Sequence, residues 1–316
     1  PCPAVRMSAA PLSTMKLQSS YHELAWMSMG FSGKLLYFPS HYGRLYPNLT
    51  KGMTCMAYVD PFLTHGIDIP PEDQEILNRW HDTVPISDGC TVPRLLSFEE
   101  AMEYADFLQD FLGGFPGGQS AALWATDDIS ALAGYYYSGP LKGTVYLLHG
   151  PSDVSPRFLS LSRFWDYYHR ILRDFSDDGD PNYEDKFWHD IDFNDNQPLT
   201  PEEVERFHQS AQALIKAWES ADPKEDWYEN LGFCTLAILP DCYAEELIPF
   251  VSPDEDNYVL EKLCRKLAQA KCTKAIPALE KLAEAEKNGL RIGGGWSDSI
   301  ARSTPGYLLQ LALEQG

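Results

Sequence analysis

QSAALWATDDISALAGYYYSGPLKGTVYLLHGPSDVSPRFLSLSRFWDYYHRIL, residues 119–172, is the stretch that decides the fold. It contains two short apolar runs, 133–137 and 144–149, joined by six residues that include two glycines and a proline. Such runs bounded by turn residues are typical of strands, and a connection this short predicts antiparallel pairing, because a parallel crossover needs a dozen or more residues. After them, large apolar residues recur with a helical period and predict a helix over 162–172 that lies on the sheet: Phe164, Trp165, Tyr168, Ile171 and Leu172.

The same stretch supplies the predicted core. Trp124 lies beside the two central strands, and we expect it inside the molecule together with Tyr135, Val145 and Phe164. A second covering helix is predicted over 97–112, because Ser97 and Glu100 form a capping box and two glycines end the apolar periodicity. A further strand is predicted at 53–59.

The stretch also resembles a known family. The resemblance is carried by a series of short motifs in a fixed order: Trp124, Asp127-Asp128, Ala133-Gly134-Tyr135, Gly139-Pro140-Leu141-x-Gly143, His149, Ser155-Pro156-x-Phe158 and Ser160. This order resembles the core of the SUKH superfamily, also called the Smi/Knr family. The resemblance implies an α+β domain that works by binding other proteins. In bacteria such domains are very often antidotes to polymorphic toxins, and in fungi they are signalling scaffolds; no catalytic residues come with the family.

The expected organisation has four parts. Residues 1–19 mix Pro, Ser and Ala without a period, which predicts a poorly ordered lead-in. A SUKH-like α+β domain with a mainly antiparallel sheet covered by helices is predicted over 20–173, followed by an acidic, aromatic segment over 174–198. A mainly α-helical region is predicted over 199–316.

The acidic segment is the predicted contact with a partner. Bare linkers seldom contain so many large aromatic side chains, because each would expose a sizeable apolar area. A solvated connector is the alternative, and a calcium loop is a weaker one, because the EF-hand spacing and its bidentate Glu are missing. The predicted partner-binding residues are Asp177, Asp178, Asp180, Tyr183, Phe187, Trp188 and Phe193.

The helical region contains several start signals. Thr200-Pro201-Glu202-Glu203 combines a cap, a first-turn proline and a capping-box Glu, and helical spacing continues from there to Trp218. The apolar run 231–239 is compatible with either a strand or a helix. Two more helices are predicted from Ser252 and Thr273, and this pair resembles one HEAT-type hairpin. A single hairpin does not establish a repeat array, so we interpret 252–316 as a helical appendage.

Composition limits the partners. The chain has 25 Lys and Arg against 46 Asp and Glu, a formal net charge of −21. Nucleic-acid binding requires basic patches, so we expect no nucleic-acid partner and favour a basic protein, although a large charge also serves solubility. No apolar run approaches the ~20 residues that cross a bilayer, so no membrane partner is expected. Seven scattered cysteines without a C-x-x-C pair indicate neither a disulfide framework nor a zinc site, and a reducing cytoplasm is the expected location.

No catalytic motif is present in the sequence. G-x-S-x-G and H-E-x-x-H are both missing, the eight histidines are dispersed, and neither cofactor nor metal is expected. Three function classes remain. The first is an immunity protein that neutralises a basic, nucleic-acid-directed toxin by binding it. A cellular scaffold of the Smi/Knr kind is the second, and an enzyme with an unrecognised site is the third. The sequence leaves the oligomeric state open.

Overall fold

A computed structural model describes residues 57–83, 94–125, 131–149, 153–176 and 198–288. All of these residues belong to one compact unit, Met56–Gly316. The predicted lead-in over 1–19 and nearly all of the acidic segment lie outside the described residues.

The centre of the molecule is a five-stranded antiparallel sheet. Its strands are β1 (Arg94–Leu95), β2 (Ser120–Ala125), β3 (Ala131–Tyr136), β4 (Val145–His149) and β5 (Pro156–Phe158). They lie side by side in chain order, and every neighbouring pair is antiparallel. Tyr135 lies opposite Val145, and Ala131 lies opposite His149, so the predicted antiparallel pairing of the two central runs is confirmed. The fold is therefore mixed α+β, as predicted.

Two helices pack on one face of the sheet through aromatic side chains. They are α2 (Pro71–Thr83) and α4 (Leu161–Ser176). The ring of Trp124 on β2 lies 5.0 Å from that of Trp80 on α2 and 4.8 Å from that of Phe164 on α4. All four residues expected in the core, Trp124, Tyr135, Val145 and Phe164, are fully buried.

The other face of the sheet depends on a glycine. Gly134 on β3 lies opposite Tyr146 on β4. A Cβ atom at position 134 would lie 2.0 Å from the Tyr146 ring, so only glycine lets the ring lie across β3. From there the Tyr146 hydroxyl reaches the Ser120 hydroxyl on β2 at 3.0 Å. In the Ala133-Gly134-Tyr135 motif, Tyr135 thus contacts α2 on one face of the sheet. On the other face, Gly134 leaves room for the ring of Tyr146.

Helix α3 (Phe98–Leu112) precedes β2 and begins as predicted. The Ser97 hydroxyl accepts the Glu100 N–H at 3.2 Å, and the Glu100 carboxylate accepts the Ser97 N–H at 2.8 Å. Arg94 on β1 donates two hydrogen bonds to the same carboxylate, which links the first strand to the helix.

The strand predicted at 53–59 is wrong where the structure describes it. Residues 57–59 form a turn that leads into the short helix α1 (Asp60–Thr64). The Asp60 carboxylate accepts the Ala57 N–H at 2.9 Å, and the Asp60 N–H donates to the Ala57 carbonyl at 3.0 Å. This local side-chain hydrogen bond competes with strand pairing and stabilises the turn.

The C-terminal region is helical over the described residues 201–287, and residues 289–316 of the predicted helical region lie outside the described residues. It contains α5 (Pro201–Ser220), α6 (Tyr228–Ile238), a 3₁₀ helix (Asp241–Phe250), α7 (Asn257–Gln269), a 3₁₀ turn (Thr273–Ala275) and α8 (Ile276–Lys287). The run 231–239, left open between strand and helix, is therefore helical. The capping box predicted at Thr200 is present, with the Thr200 hydroxyl accepting the Glu203 N–H at 3.2 Å.

The sheet and the C-terminal helices share one hydrophobic core. The segment before β5 joins them. The side-chain oxygen of Asn230 on α6 accepts the Val154 N–H at 3.1 Å, and Lys262 on α7 forms an ion pair with Asp153 at 2.5 Å. Within the described ranges, no helix has both the length and the apolar character needed to cross a membrane. The acidic segment predicted over 174–198 thus lies, in sequence, between the sheet and the C-terminal helices, which pack on each other.

Candidate partner-binding surface

All the partner-binding residues predicted from sequence lie outside the described residues. They are Asp177, Asp178, Asp180, Tyr183, Phe187, Trp188 and Phe193. Ser176, the last residue of α4, and Pro198 are the described residues on either side of them. The proposed role of this segment therefore stays a prediction.

The structure shows a second surface of the same chemical character, which we call the acidic edge. It consists of the turn before α6 and the turn before α7, together with the first residues of both helices. Its residues are Asp222, Glu225, Asp226, Trp227, Tyr228 and Glu229 from the first turn, and Asp254, Glu255, Asp256 and Tyr258 from the second. Lys224 is the one cation within these two stretches of sequence.

The two turns are built in the same way. In the first, the Glu225 N–H donates to the Asp222 carbonyl at 3.0 Å, and the Asp222 side chain accepts the Lys224 N–H at 3.0 Å. In the second, the Glu255 N–H donates to the Ser252 carbonyl at 3.1 Å, and the Ser252 hydroxyl accepts the Asp254 N–H at 3.3 Å. Asp or Ser before Pro is a common start for such turns, because its side chain hydrogen-bonds the backbone two residues later.

One hydrogen bond joins the two turns. The Tyr228 hydroxyl donates to the Glu255 carboxylate at 3.0 Å. Beneath them, Trp218 of α5 is buried and stacks on Phe250 with ring centroids 4.1 Å apart. This packing places carboxylates from sequence positions about thirty residues apart on one side of the molecule.

Burial and, to a smaller extent, the charges of neighbouring acids raise the pKa values of ionisable groups at the edge. Burial raises the pKa of Glu229, and the charges of Asp256 and Asp153 raise it further, with Lys262 opposing them. Burial also raises the pKa of Glu255, and Asp256 adds to that shift. Burial and the neighbouring Glu255 raise the pKa of Tyr228 to about 12, so its hydroxyl remains a donor at neutral pH. The negative charge here is concentrated rather than balanced.

Such an arrangement can bind a basic partner. Concentrated like charge attracts cationic groups and speeds association, while an exposed ring supplies apolar contact area. Tyr258 is that ring, because 53% of its surface is exposed. In the part of the chain that the structure describes, no group of three or more His, Cys, Asp or Glu side chains is arranged to hold a metal ion.

The buried pair of Asp73 and Tyr135 is a structural feature. The Tyr135 hydroxyl donates to the Asp73 carboxylate at 2.5 Å, and Asp73 is only 7% exposed. Burial raises the pKa of Asp73, and the hydrogen bond from Tyr135 opposes that shift. The pair joins the start of α2 to the central strand, and its burial leaves no access for a substrate.

Sequence reasoning missed the acidic edge for a definite reason. Each turn alone contains three or four carboxylates, which is ordinary for a solvated turn before a helix. Only the packing of α6 against α7 brings the two sets together. The available signal was the pair Glu-Asp, which is followed within two residues by Tyr228 in one turn and by Tyr258 in the other.

Comparisons with known proteins leave the family open. A scan against protein-family models, a search of curated proteins and a search of solved structures each returned no match.

Proposed function

We propose that the chain is a protein-binding module of the immunity type, which neutralises a basic, nucleic-acid-directed bacterial toxin by covering its active surface. The acidic edge is the observation that carries the proposal. The fold brings its carboxylates together beside an exposed aromatic ring. The two stretches of sequence that form the edge contain one cation, Lys224. The net charge of −21 and the resemblance to the SUKH superfamily support the same function.

The proposed mechanism is occlusion. A toxin that cleaves or modifies nucleic acid has a basic cleft for phosphates. An acidic surface that enters this cleft competes with the substrate directly and associates fast at low salt. Desolvated aromatic side chains then slow dissociation, because such residues account for most of the binding energy in many interfaces. No group on this chain needs to react.

The acidic segment over 174–198 would supply a second contact of the same kind. It combines carboxylates with Phe187, Trp188 and Phe193, as the acidic edge combines them with Tyr258. Two such surfaces on one chain can engage a larger part of a partner than either alone. This arrangement would explain why large aromatic residues accompany the carboxylates in both stretches.

Isolation of the partner tests the proposal. The full tagged chain is used to recover its partner from cells of its native source, and the partner is identified by mass spectrometry. We expect one basic protein in stoichiometric amount, released as salt is raised, whose toxicity in a reporter strain disappears when this chain is co-expressed. Recovery of acidic or neutral proteins alone, or of a basic protein whose activity is unaffected, would contradict the proposal.

A scaffold of the Smi/Knr kind is the second candidate function. The shared core favours it, because a sheet and a helical region fixed to each other offer two surfaces in a constant geometry. A scaffold should be recovered with two or more different partners at once, whereas an inhibitor should be recovered with one. A neighbouring toxin gene would also favour the inhibitor.

A further inference from the structure

Part of the sequence that forms the acidic edge recurs at a spacing of thirty residues. Residues 223–252 and 253–282 align without a gap at a spacing of thirty residues. Six positions are identical in the two copies: Pro223 and Pro253, Glu225 and Glu255, Asp226 and Asp256, Tyr228 and Tyr258, Cys234 and Cys264, and Cys242 and Cys272. Periods of twenty to fifty residues are typical of helical repeat proteins.

The structure gives both copies the same order of elements. Each has a turn, then an α-helix, then a second turn, then another helical element: α6 and the 3₁₀ helix in the first copy, α7 and α8 in the second. The first cysteine of each copy, Cys234 or Cys264, is fully buried within the α-helix. The second cysteine of the first copy, Cys242, is the second residue of the 3₁₀ helix, and Cys272 of the second copy caps the 3₁₀ turn that leads into α8.

The two repeated tyrosines differ in their surroundings. Tyr228 of the first copy is half-buried and donates its hydroxyl to Glu255 of the second. In a third copy, the residue equivalent to the acceptor Glu255 would be at position 285, which is an alanine. Tyr258 therefore has no such acceptor, and among the described residues no hydrogen bond or ring contact involves its side chain. The first tyrosine therefore links the two copies by a hydrogen bond, whereas the second is exposed.

Repeat proteins bind partners on the extended surfaces that neighbouring units form together. We infer that the two repeated turns form one docking edge for a basic protein segment, in which Tyr258 contacts the partner and Tyr228 holds the edge together. The expected ligand is a segment with at least two Lys or Arg side chains. One cation lies over the exposed face of Tyr258, while the other pairs with carboxylates of the first turn, such as Glu225. This inference rests on the proposed function, because it names the partner chemistry of the same surface.

A peptide titration tests the docking edge. The probe is a labelled twelve-residue peptide with six arginines among glycine and serine, titrated into the full chain at low salt and followed by fluorescence anisotropy. We expect Tyr258→Ala to weaken binding about fivefold, as expected for the loss of a cation–π contact of about 1 kcal/mol. Tyr258→Phe should retain most of the affinity. Tyr228→Phe removes the hydrogen bond to Glu255 but leaves the exposed ring in place, so the effect on affinity should be smaller.

A charge-matched pair separates the edge from overall charge. Glu225→Gln with Asp254→Asn removes one carboxylate from each turn, whereas Glu103→Gln with Glu280→Gln removes two exposed carboxylates elsewhere. We expect the first double variant to bind the peptide at least threefold more weakly than the second at equal net charge. Melting temperatures first establish that each variant folds.

Two results would overturn the inference. Equal affinity of the two double variants, combined with wild-type affinity of Tyr258→Ala, would show that the peptide responds only to net charge. Failure of the wild-type chain to bind the peptide at low salt would do the same. Neither result would contradict the proposed function, because that function is tested separately by recovery of a partner and loss of its toxicity.

Discussion

A carboxylate in the sheet part and one in the C-terminal helical part differ in their surroundings. In the sheet part, the buried carboxylate of Asp73 has a dedicated donor, the hydroxyl of Tyr135. In the helical part, the side chain of Glu229 has no hydrogen-bond donor among the described residues, and burial, followed by the charges of Asp256 and Asp153, raises its pKa. Pairing stabilises a fold, whereas unrelieved repulsion at a surface costs stability and is useful only to a surface that attracts cations. The difference separates the part that holds the molecule together from the part that we propose binds.

The largest expected effect tests the role of the sheet. Replacement of a buried Trp by Ala typically costs about 3 to 5 kcal/mol, so Trp124→Ala should lower the free energy of unfolding by about that amount. Trp124 contacts both Trp80 and Phe164, so the cavity would open between the sheet and two helices. Urea unfolding followed by circular dichroism measures the loss.

Tyr258→Ala is the matched control from the helical part. Its ring is largely exposed, and we expect its removal to change the free energy of unfolding by less than about 0.5 kcal/mol. If both aromatic deletions cost the same, the contrast between a structural sheet and a binding edge fails.

The next effect concerns the buried pair. Tyr135→Phe leaves the Asp73 carboxylate without its donor, and an unsatisfied buried group costs about 1 to 3 kcal/mol. Asp73→Asn should cost less, because the amide oxygen still accepts the hydroxyl and no charge is buried. Thermal unfolding at neutral pH ranks the two variants. The reverse order would mean that the negative charge itself holds α2 on the sheet.

The pH dependence of the same pair gives a smaller effect. The folded protein holds the Asp73 proton more tightly than the unfolded chain does, because burial raises its pKa above 3.8. Between the unfolded and the folded pKa the native state therefore binds more protons, so the contribution of this group to stability falls as pH rises. Relative to wild type, Asp73→Asn should lose stability at pH 3.5 and lose less, or gain, at pH 7. A constant difference across this range would show that the native carboxyl titrates as it does in the unfolded chain.

The sequence predicts the sheet better than it predicts the edge, for a physical reason. The runs 133–137 and 144–149, which predicted β3 and β4, are adjacent in the chain and are joined by a short connection that contains turn residues such as Gly139. The start of α5 is equally predictable from sequence, because the two residues of its capping box, Thr200 and Glu203, lie within one helical turn. The edge depends on the packing of α6 against α7, and the run 231–239 is too uniformly apolar to show even its own helical period. The family resemblance and the contact role of Trp188 remain predictions from sequence.

The smallest expected effect tests the acidic edge itself. Glu229 makes no hydrogen bond through its side chain among the described residues, and its pKa is raised first by burial and then by Asp256 and Asp153. The folded protein therefore stabilises its protonated form, and ionisation above about pH 4.5 costs stability. Because Glu229 is only half-buried, solvent screening reduces that cost to a few tenths of a kcal/mol.

Glu229→Gln should accordingly raise the free energy of unfolding slightly at pH 7 and leave it unchanged at pH 3.5, where the wild-type side chain is protonated. Chemical unfolding at both pH values, with the exposed Glu280→Gln as a control for removal of one charge, measures the difference. A gain in stability that accompanies weaker partner binding is the outcome expected of a site where repulsion is retained for function. A loss of stability at pH 7 would instead show that Lys262 outweighs the neighbouring acids and that the edge is balanced, like the pair in the sheet.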